Sequence, residues 1–347
     1  MLGRQSFGVR TPIIRENDNL FQIITHSINP FVQSGDIIGI TESVVARAQG
    51  NYVTIDDMVD EIRRVMNNPN TIILYQPIYS RNRFAMILKA IARAAKERVI
   101  LYMPNYDEVG NVRNNHPFTG IDYEKYYTEI VKAEHKECII FPMQYTLNRE
   151  ELNVIYCGLH NYNTIKTAFP NYFTLADFFK DKCEYGLLGS NKASEEKLKL
   201  FPNSAKAQEL VEDIKDYYMV NGIFVEVMIY GDGCFKDPVG GIWEFADPVT
   251  YPAHTSGPDG TPNEIKLKAF ADDKYANLSG DELASAIKKE IRLKDIDLVG
   301  NMSSQGTTPR RKIDLLASLM DLTSGSGDAG TPIVIVRNYD KSFADEI

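Results

Sequence analysis

The chain has 347 residues, 44% of them hydrophobic, and a formal charge of −9 at pH 7; it is long enough for two modest domains or one domain with large insertions. The acidic balance excludes a general nucleic-acid binder, because neutralising a phosphate backbone needs a basic face. No apolar run approaches the roughly 18 residues that span a bilayer, and the opening MLGRQSFGVRTP lacks the apolar segment of a secretory signal, so no membrane partner is expected.

Residues 35–51, GDIIGITESVVARAQGN, switch from the strand-like Ile37, Ile38 and Ile40 to a short helical pattern through Val44, Val45 and Ala48. Thr41, Glu42 and Ser43 stand at the junction, with Arg47 one turn on. Two readings stay open there. A Thr or Ser oxygen can cap the helix, or the free backbone N–H groups can receive a phosphate.

Downstream, 53–66 reads as an amphipathic helix capped by Thr54. Strands follow at 71–76 and 98–104, with an Ala-rich helix at 80–97 between them. A helix at 123–137 leads into the extended 138–143, and 222–233 alternates like a strand before a glycine turn. Thr261-Pro262-Asn263-Glu264 and Ser279-Gly280-Asp281-Glu282 read as capping boxes. Thr308-Pro309 places proline at a helix start, and that helix ends in SGSGDAG (324–330) before the strand PIVIVRN. The elements alternate without the regular spacing of a doubly wound sheet, so the class is α+β, with mixed sheets and packed helices.

Acidic residues gather in three loops, 106–122, 230–248 and 324–332. Carboxylates at strand ends can hold Mg²⁺ or Mn²⁺, and nearby glycines admit a phosphate to the backbone; each loop alone also reads as an ordinary turn. The four cysteines (Cys138, Cys157, Cys183, Cys234) form no CxxC pair. That excludes a zinc ribbon or a disulfide framework and points to a reducing, cytoplasmic setting. The five histidines show no HExxH or HxxxH spacing. His116 and His254 fall in candidate loops, either as phosphate donors or as plain loop residues. No GxSxG, Walker or dinucleotide-binding glycine motif is present.

Five segments, in order, resemble the coenzyme F-420-0:γ-glutamyl ligase family. They are GVRTPIIRENDNL (8–20), the 35–51 stretch, HPFTGID (116–122), MIYGDGCFKDP (228–238) and LLASLMDLTSGSGDAGTPIVIVRN (315–338). The resemblance implies a GTP-dependent ligase that uses Mg²⁺ or Mn²⁺, activates a substrate carboxylate as an acyl phosphate, and joins it to glutamate. It also implies a homodimer acting on small molecules. Carried over by position, the nucleotide would meet Thr11, Pro12, Ile13, Ile14, Glu42, Ser43 and Arg47, and the loop residues Ser324, Gly325, Ser326, Gly327 and Gly330. Asp122, Asp232 and Asp328 would ligate metal. No residue is singled out as the catalytic acid or base.

The departures are specific. The family's Ser-Lys is Glu42-Ser43 here, so an anion stands near the expected phosphates unless a metal or Arg47 offsets it. Arg47 replaces a lysine, and Gly233 replaces a threonine beside Asp232. They leave open a catalytically altered nucleotide- or metal-binding homologue, a folate-type glutamate ligase, or another metal-dependent phosphoryl-transfer enzyme. The extra length lies at 140–217, expected as an inserted subdomain between core segments 1–139 and 218–347. In the proline-rich 243–264 stretch, Trp243 either stacks on a ligand ring or packs locally.

Overall fold

The structure, a computed structural model, describes residues 3–79, 82–107, 110–117, 119–143, 147–159, 161–231, 234–236, 243–245, 250–261, 267–293, 311–325, 327–342 and 344. Elements are numbered in chain order. One sheet joins the two ends of the chain, in the order β1 (Gln5–Val9), β15 (Ile333–Arg337), β2 (Ile37–Thr41), β11 (Glu226–Gly231) and β14 (Thr250–His254). Only β2 and β11 run parallel; the other neighbours are antiparallel.

Both faces of this sheet are covered, which is why IIGIT and IVIVR are nearly continuous apolar runs. Ile38, Ile40, Val227, Ile229, Ile333 and Ile335 pack with α1 (Leu20–Ile28), α2 (Glu42–Ala48) and α7 (Ser204–Val220). The alternate residues Met228, Tyr230, Val334 and Val336 meet Ile313, Leu316 and Met320 of α10 (Lys312–Ser324). Burying each such large side chain contributes roughly 1.5–3 kcal/mol. At Gly39 a Cβ would lie 2.2 Å from the Met320 sulfur, so the absence of a side chain lets α10 sit against β2.

Asp36, just ahead of β2, has no exposed side-chain surface. Arg337, the last residue of β15, donates Nε to its Oδ1 at 2.8 Å and Nη2 to its Oδ2 at 2.7 Å. Gln33 N adds a third bond at 2.8 Å. This paired fork is the strong form of a carboxylate contact.

The second sheet has the order β6 (Glu137–Pro142), β5 (Arg98–Met103), β4 (Thr71–Tyr75), β7 (Val154–Tyr156), β8 (Phe173–Thr174), all parallel. Ile72, Leu74, Val99 and Leu101 face α3 (Ile55–Val65), α4 (Asn82–Ala94) and α5 (Tyr123–Ala133). Tyr75, Val154 and Tyr156 face α6 (Tyr162–Ala168) on the other side. The chain winds outward from β4 through β5 to β6, then restarts on the opposite flank with β7 and β8, which is a doubly wound order. Regular alternation was not expected from the sequence, and this sheet corrects that. The long 104–122 connection and a seven-residue α6 hide the repeat. The antiparallel pairs elsewhere keep the whole chain in the α+β class. Strands from 71–103 and from 154–174 share this sheet, so residue 140 lies inside it.

A three-stranded antiparallel sheet, β3 (Tyr52–Thr54), β10 (Lys197–Leu200), β9 (Ser190–Lys192), ties the two halves together. Its Leu198 and Leu200 enter the core of the parallel sheet. From α4, Arg83 donates to Ser190 O at 2.8 Å.

Local expectations fare differently along the chain. Thr54 does form a capping box, with Asp57: its Oγ1 accepts from Asp57 N, and the Asp57 carboxylate accepts from Thr54 N. The strand expected at 222–233 starts later, because Gly222 (φ +76°) closes the end of α7 with a left-handed turn. Trp243 lies in β13 (Trp243–Phe245), paired with β12 (Cys234–Lys236), a ladder that the proline-rich reading missed. Remaining helices are α8 (Leu267–Ala269) and α9 (Gly280–Leu293). The Thr261 box and Thr308-Pro309 run into 262–266 and 301–310, outside the described residues. No described helix is long and apolar enough to cross a membrane.

Removing Arg337 would leave the Asp36 carboxylate buried and without its cation. Arg337→Ala is expected to lower stability by about 3–5 kcal/mol. Arg337→Lys should lose less, keeping the charge but not the fork. Urea denaturation followed by circular dichroism measures both.

Candidate functional site

The β2–α2 junction is built by three distant parts of the chain. Thr41 N donates to Pro332 O at 2.9 Å, and Thr11 N donates to Gly330 O at 3.2 Å. The 11–14 segment and the 324–332 loop therefore both reach the start of α2. Ile14 is buried in the core while Ile13 is exposed, so this segment is anchored by one side chain and presents the next to solvent. The loop is shaped by positive φ at Gly325 and Gly330 and by Thr331 Oγ1 donating to Ser324 O at 2.6 Å. Asp328 sits in a short 3-10 turn, Gly327–Ala329, within it. Ser326 lies outside the described residues.

Thr41 occupies the helix-cap position, but its side chain makes no cap hydrogen bond. Glu42 is 3% exposed and accepts from Asn191 Nδ2 at 3.2 Å. Lys199 Nζ lies 4.0 Å from Glu42 Oε1, donates to Ser43 O at 3.3 Å, and also contacts Ser43 Oγ. The anion expected at Glu42 thus has a cation beside it in Lys199. The cation comes from β10, 157 positions further on.

Beside this pair opens a cavity of about 350 Å³ lined by Ser43, Arg47, Tyr52, Lys192, Lys197 and Lys199. Tyr52 stands directly opposite Lys199 across the β3–β10 ladder. Lys192 is held at 2.6 Å by the largely exposed Glu195. Among the described residues, Arg47 and Lys197 have no ion-pair partner. Sequence reading found Ser43 and Arg47 but missed the lysines. The available signal was KLKL at 197–200, where period-two alternation puts Lys197 and Lys199 on one face and two leucines on the other.

The expected metal aspartates are distributed differently. Asp122 lies on the parallel sheet's side, where its Oδ1 caps α5 by accepting from Lys125 N at 3.0 Å and from Asn114 Nδ2 at 3.1 Å. Asp232 is outside the described residues. The strand leading to it, β11, ends beside the junction, with Tyr230 paired to Thr41. Among the described residues, no group of three or more His, Cys, Asp or Glu is arranged to hold a metal ion.

His116 is buried within its own loop. Its Nδ1 accepts from Thr119 N at 3.3 Å and its Nε2 faces Asn111 Oδ1 at 3.1 Å, while Asn111 Nδ2 donates to Asp107 at 3.0 Å. Both ring nitrogens are used structurally. His254 Nδ1 faces Thr255 O at 2.9 Å. Burial raises the Cys183 thiol pKa to about 11, and Cys138, Cys157 and Cys183 are free thiols.

A basic cavity thus lies beside a strand-to-helix junction of an α+β chain, flanked by a glycine-rich loop from its C-terminal part. The sequence model of the F420-0:gamma-glutamyl ligase family matches residues 8–338. The chain belongs to that family, whose ligases form a C–N bond. No curated protein matches the chain.

Two outcomes follow from the geometry. Asp122→Ala should cost about 1 kcal/mol in urea melts through the lost cap, while Asp122→Asn should stay within a few tenths, because asparagine caps equally well. Lys199→Met should destabilise by about 3 kcal/mol by stranding Glu42, and adding Glu42→Gln should recover part of that loss. A thermodynamic double-mutant cycle checks the coupling.

Proposed function

We propose that the chain is a nucleotide-dependent amide ligase that adds L-glutamate to a carboxylate of a cofactor such as coenzyme F-420-0. The terminal phosphoryl group of GTP passes to the acceptor carboxylate, giving an acyl phosphate and GDP. The glutamate amine then attacks the acyl carbon; the C–N bond forms, inorganic phosphate leaves, and the amine gives up a proton. Charge stabilisation and positioning supply most of the catalysis in phosphoryl transfer.

The observation that carries this reading is the convergence at the β2–α2 junction. Backbone bonds from Thr11 to Gly330 and from Thr41 to Pro332 bring three of the five family-like segments to one place, next to a cluster of cations. Residues 11–14, 41–47 and 324–331 are the natural contacts for the nucleotide. Mg²⁺ or Mn²⁺ belongs to the reading as an expectation only. The described carboxylates do not gather into a cation site, since Asp122 caps a helix and Glu42 is held by Lys199 and Asn191.

The alternative, a homologue that has lost ligation, rests on the Glu42 and Gly233 departures, of which Gly233 lies outside the described residues. Lys199 weakens the Glu42 argument, because it brings an ammonium to the Ser43 oxygens from another strand. Arg47 is not consumed in an ion pair among the described residues, so its charge is available to a ligand.

Calorimetric titration with GTP and ATP, with and without Mn²⁺ or Mg²⁺, comes first, followed by turnover with glutamate and the deazaflavin acceptor. Metal-dependent binding and one phosphate released per amide formed are expected. Arg47→Ala should weaken nucleotide binding about tenfold, or ~1.4 kcal/mol. Absence of binding by either nucleotide, or phosphate release without amide, would overturn the proposal.

A further inference from the structure

We infer that the cavity between α2 and the β3–β10–β9 sheet is a binding site for a phosphate chain, held by Lys192, Lys197 and Lys199 together with Arg47. It deepens the proposed ligase by naming the residues that take the phosphates, and it relies on that reading only for which molecule carries them.

Charge is the first argument. The protein carries a net −9, so a cluster of four cations around one cavity is a local concentration against the background. The carboxylates ion-paired to these cations are Glu42, 4.0 Å from Lys199, and Glu195, which holds Lys192 from an exposed position, while Glu196, next to Lys197 in sequence, pairs with Lys89. Four cations against two carboxylates leave a positive excess, focused in a concave site.

Strand chemistry is the second. In β10, Leu198 and Leu200 are fully buried in the core of the parallel sheet. Lys197 and Lys199 alternate with them and line the cavity. Lys199 is itself only 10% exposed at its side chain, an expensive position for an ammonium. Its hydrogen bonds to the Ser43 oxygens orient it at the cavity wall. Lys199 balances the buried Glu42 and also presents its ammonium at the cavity wall.

Size and lining are the third. About 350 Å³ lies near the small end of ligand pockets, roughly 300–1,000 Å³. The lining is mainly hydroxyls and cations, with Ala193 and the Tyr52 ring as its apolar members. A di- or triphosphate group suits it better than a whole nucleotide.

The test is calorimetry of the full chain with sodium tripolyphosphate and with inorganic phosphate, at low and near-physiological salt. Lys192 and Lys197 are exposed and lie outside the hydrophobic core, so Lys192→Ala and Lys197→Ala keep the experiment readable if Lys199 variants fail to fold. Each should weaken tripolyphosphate binding about fivefold, and the double variant more than tenfold, with affinity falling as salt rises. Unchanged circular dichroism confirms that the fold survives. If GTP displaces tripolyphosphate, the phosphates are the nucleotide's; if GTP binds alongside it, they belong to the acceptor or to free phosphate. Lysine-dependent tripolyphosphate binding without any GTP binding would sink the GTP-dependent ligase and keep the cavity. No tripolyphosphate binding, or equal binding by the wild type and the double variant, would overturn the inference.

Discussion

A buried carboxylate must have its cation, and much of this structure is arranged around one such requirement. Asp36 stands immediately before β2 with no exposed side-chain surface, and only the Arg337 fork and Gln33 N–H answer it. Arg337 is at the end of β15, so meeting Asp36 locks the last strand against β2 in antiparallel register, with Ile333 opposite Ile40. That register delivers Pro332 to Thr41 and Gly330 to Thr11. A pairing shifted by one residue would turn the apolar side chains to the wrong faces and would also move the 324–332 loop away from α2. One ion pair therefore connects strand order to the geometry of the candidate site.

The second theme is substitution in space for a residue missing in sequence. At the α2 turn, Glu42-Ser43 stands where a cation was expected, and an isolated buried glutamate there would be costly. Lys199 answers it from β10, and Asn191 of β9 adds a hydrogen bond. The cation therefore arrives with the same hairpin that forms one wall of the cavity. Changing the source of a charge does not change the Coulomb field it supplies, which depends on distance and surroundings. It does change what positions it: a strand anchored by Leu198 and Leu200 is a stiffer support than the first turn of a seven-residue helix.

That anchoring gives the doubly wound sheet a part in the site even though it contributes no residue to the cavity. Val53, Ile55, Leu198 and Leu200 share one core with β4, β5 and helices α3 to α5. The three-stranded sheet is thus a two-sided layer, with leucines toward the parallel sheet and lysines toward α2. Arg83 reaching Ser190 O reinforces the join.

The sequence by itself determined the pieces. Period-two and near-continuous apolar runs located β2, β4, β5, β11 and β15, because burial on one or both faces leaves a local pattern. Thr54 marked a helix start, and the structure adds Asp57 as its capping-box partner. The strand-to-helix junction at Thr41, Glu42 and Ser43 was legible, as were Arg47 and the glycine loop at 324–330. Tertiary structure alone decided the winding order of the parallel sheet, the capping role of Asp122, the burial of His116, and the arrival of Lys199 beside Glu42. Each of these depends on contacts between residues far apart in the chain or on the competition of nearby donors for one acceptor. Strand pairing and charge compensation act through distance in space, and a linear pattern records only which side of its own element a residue occupies.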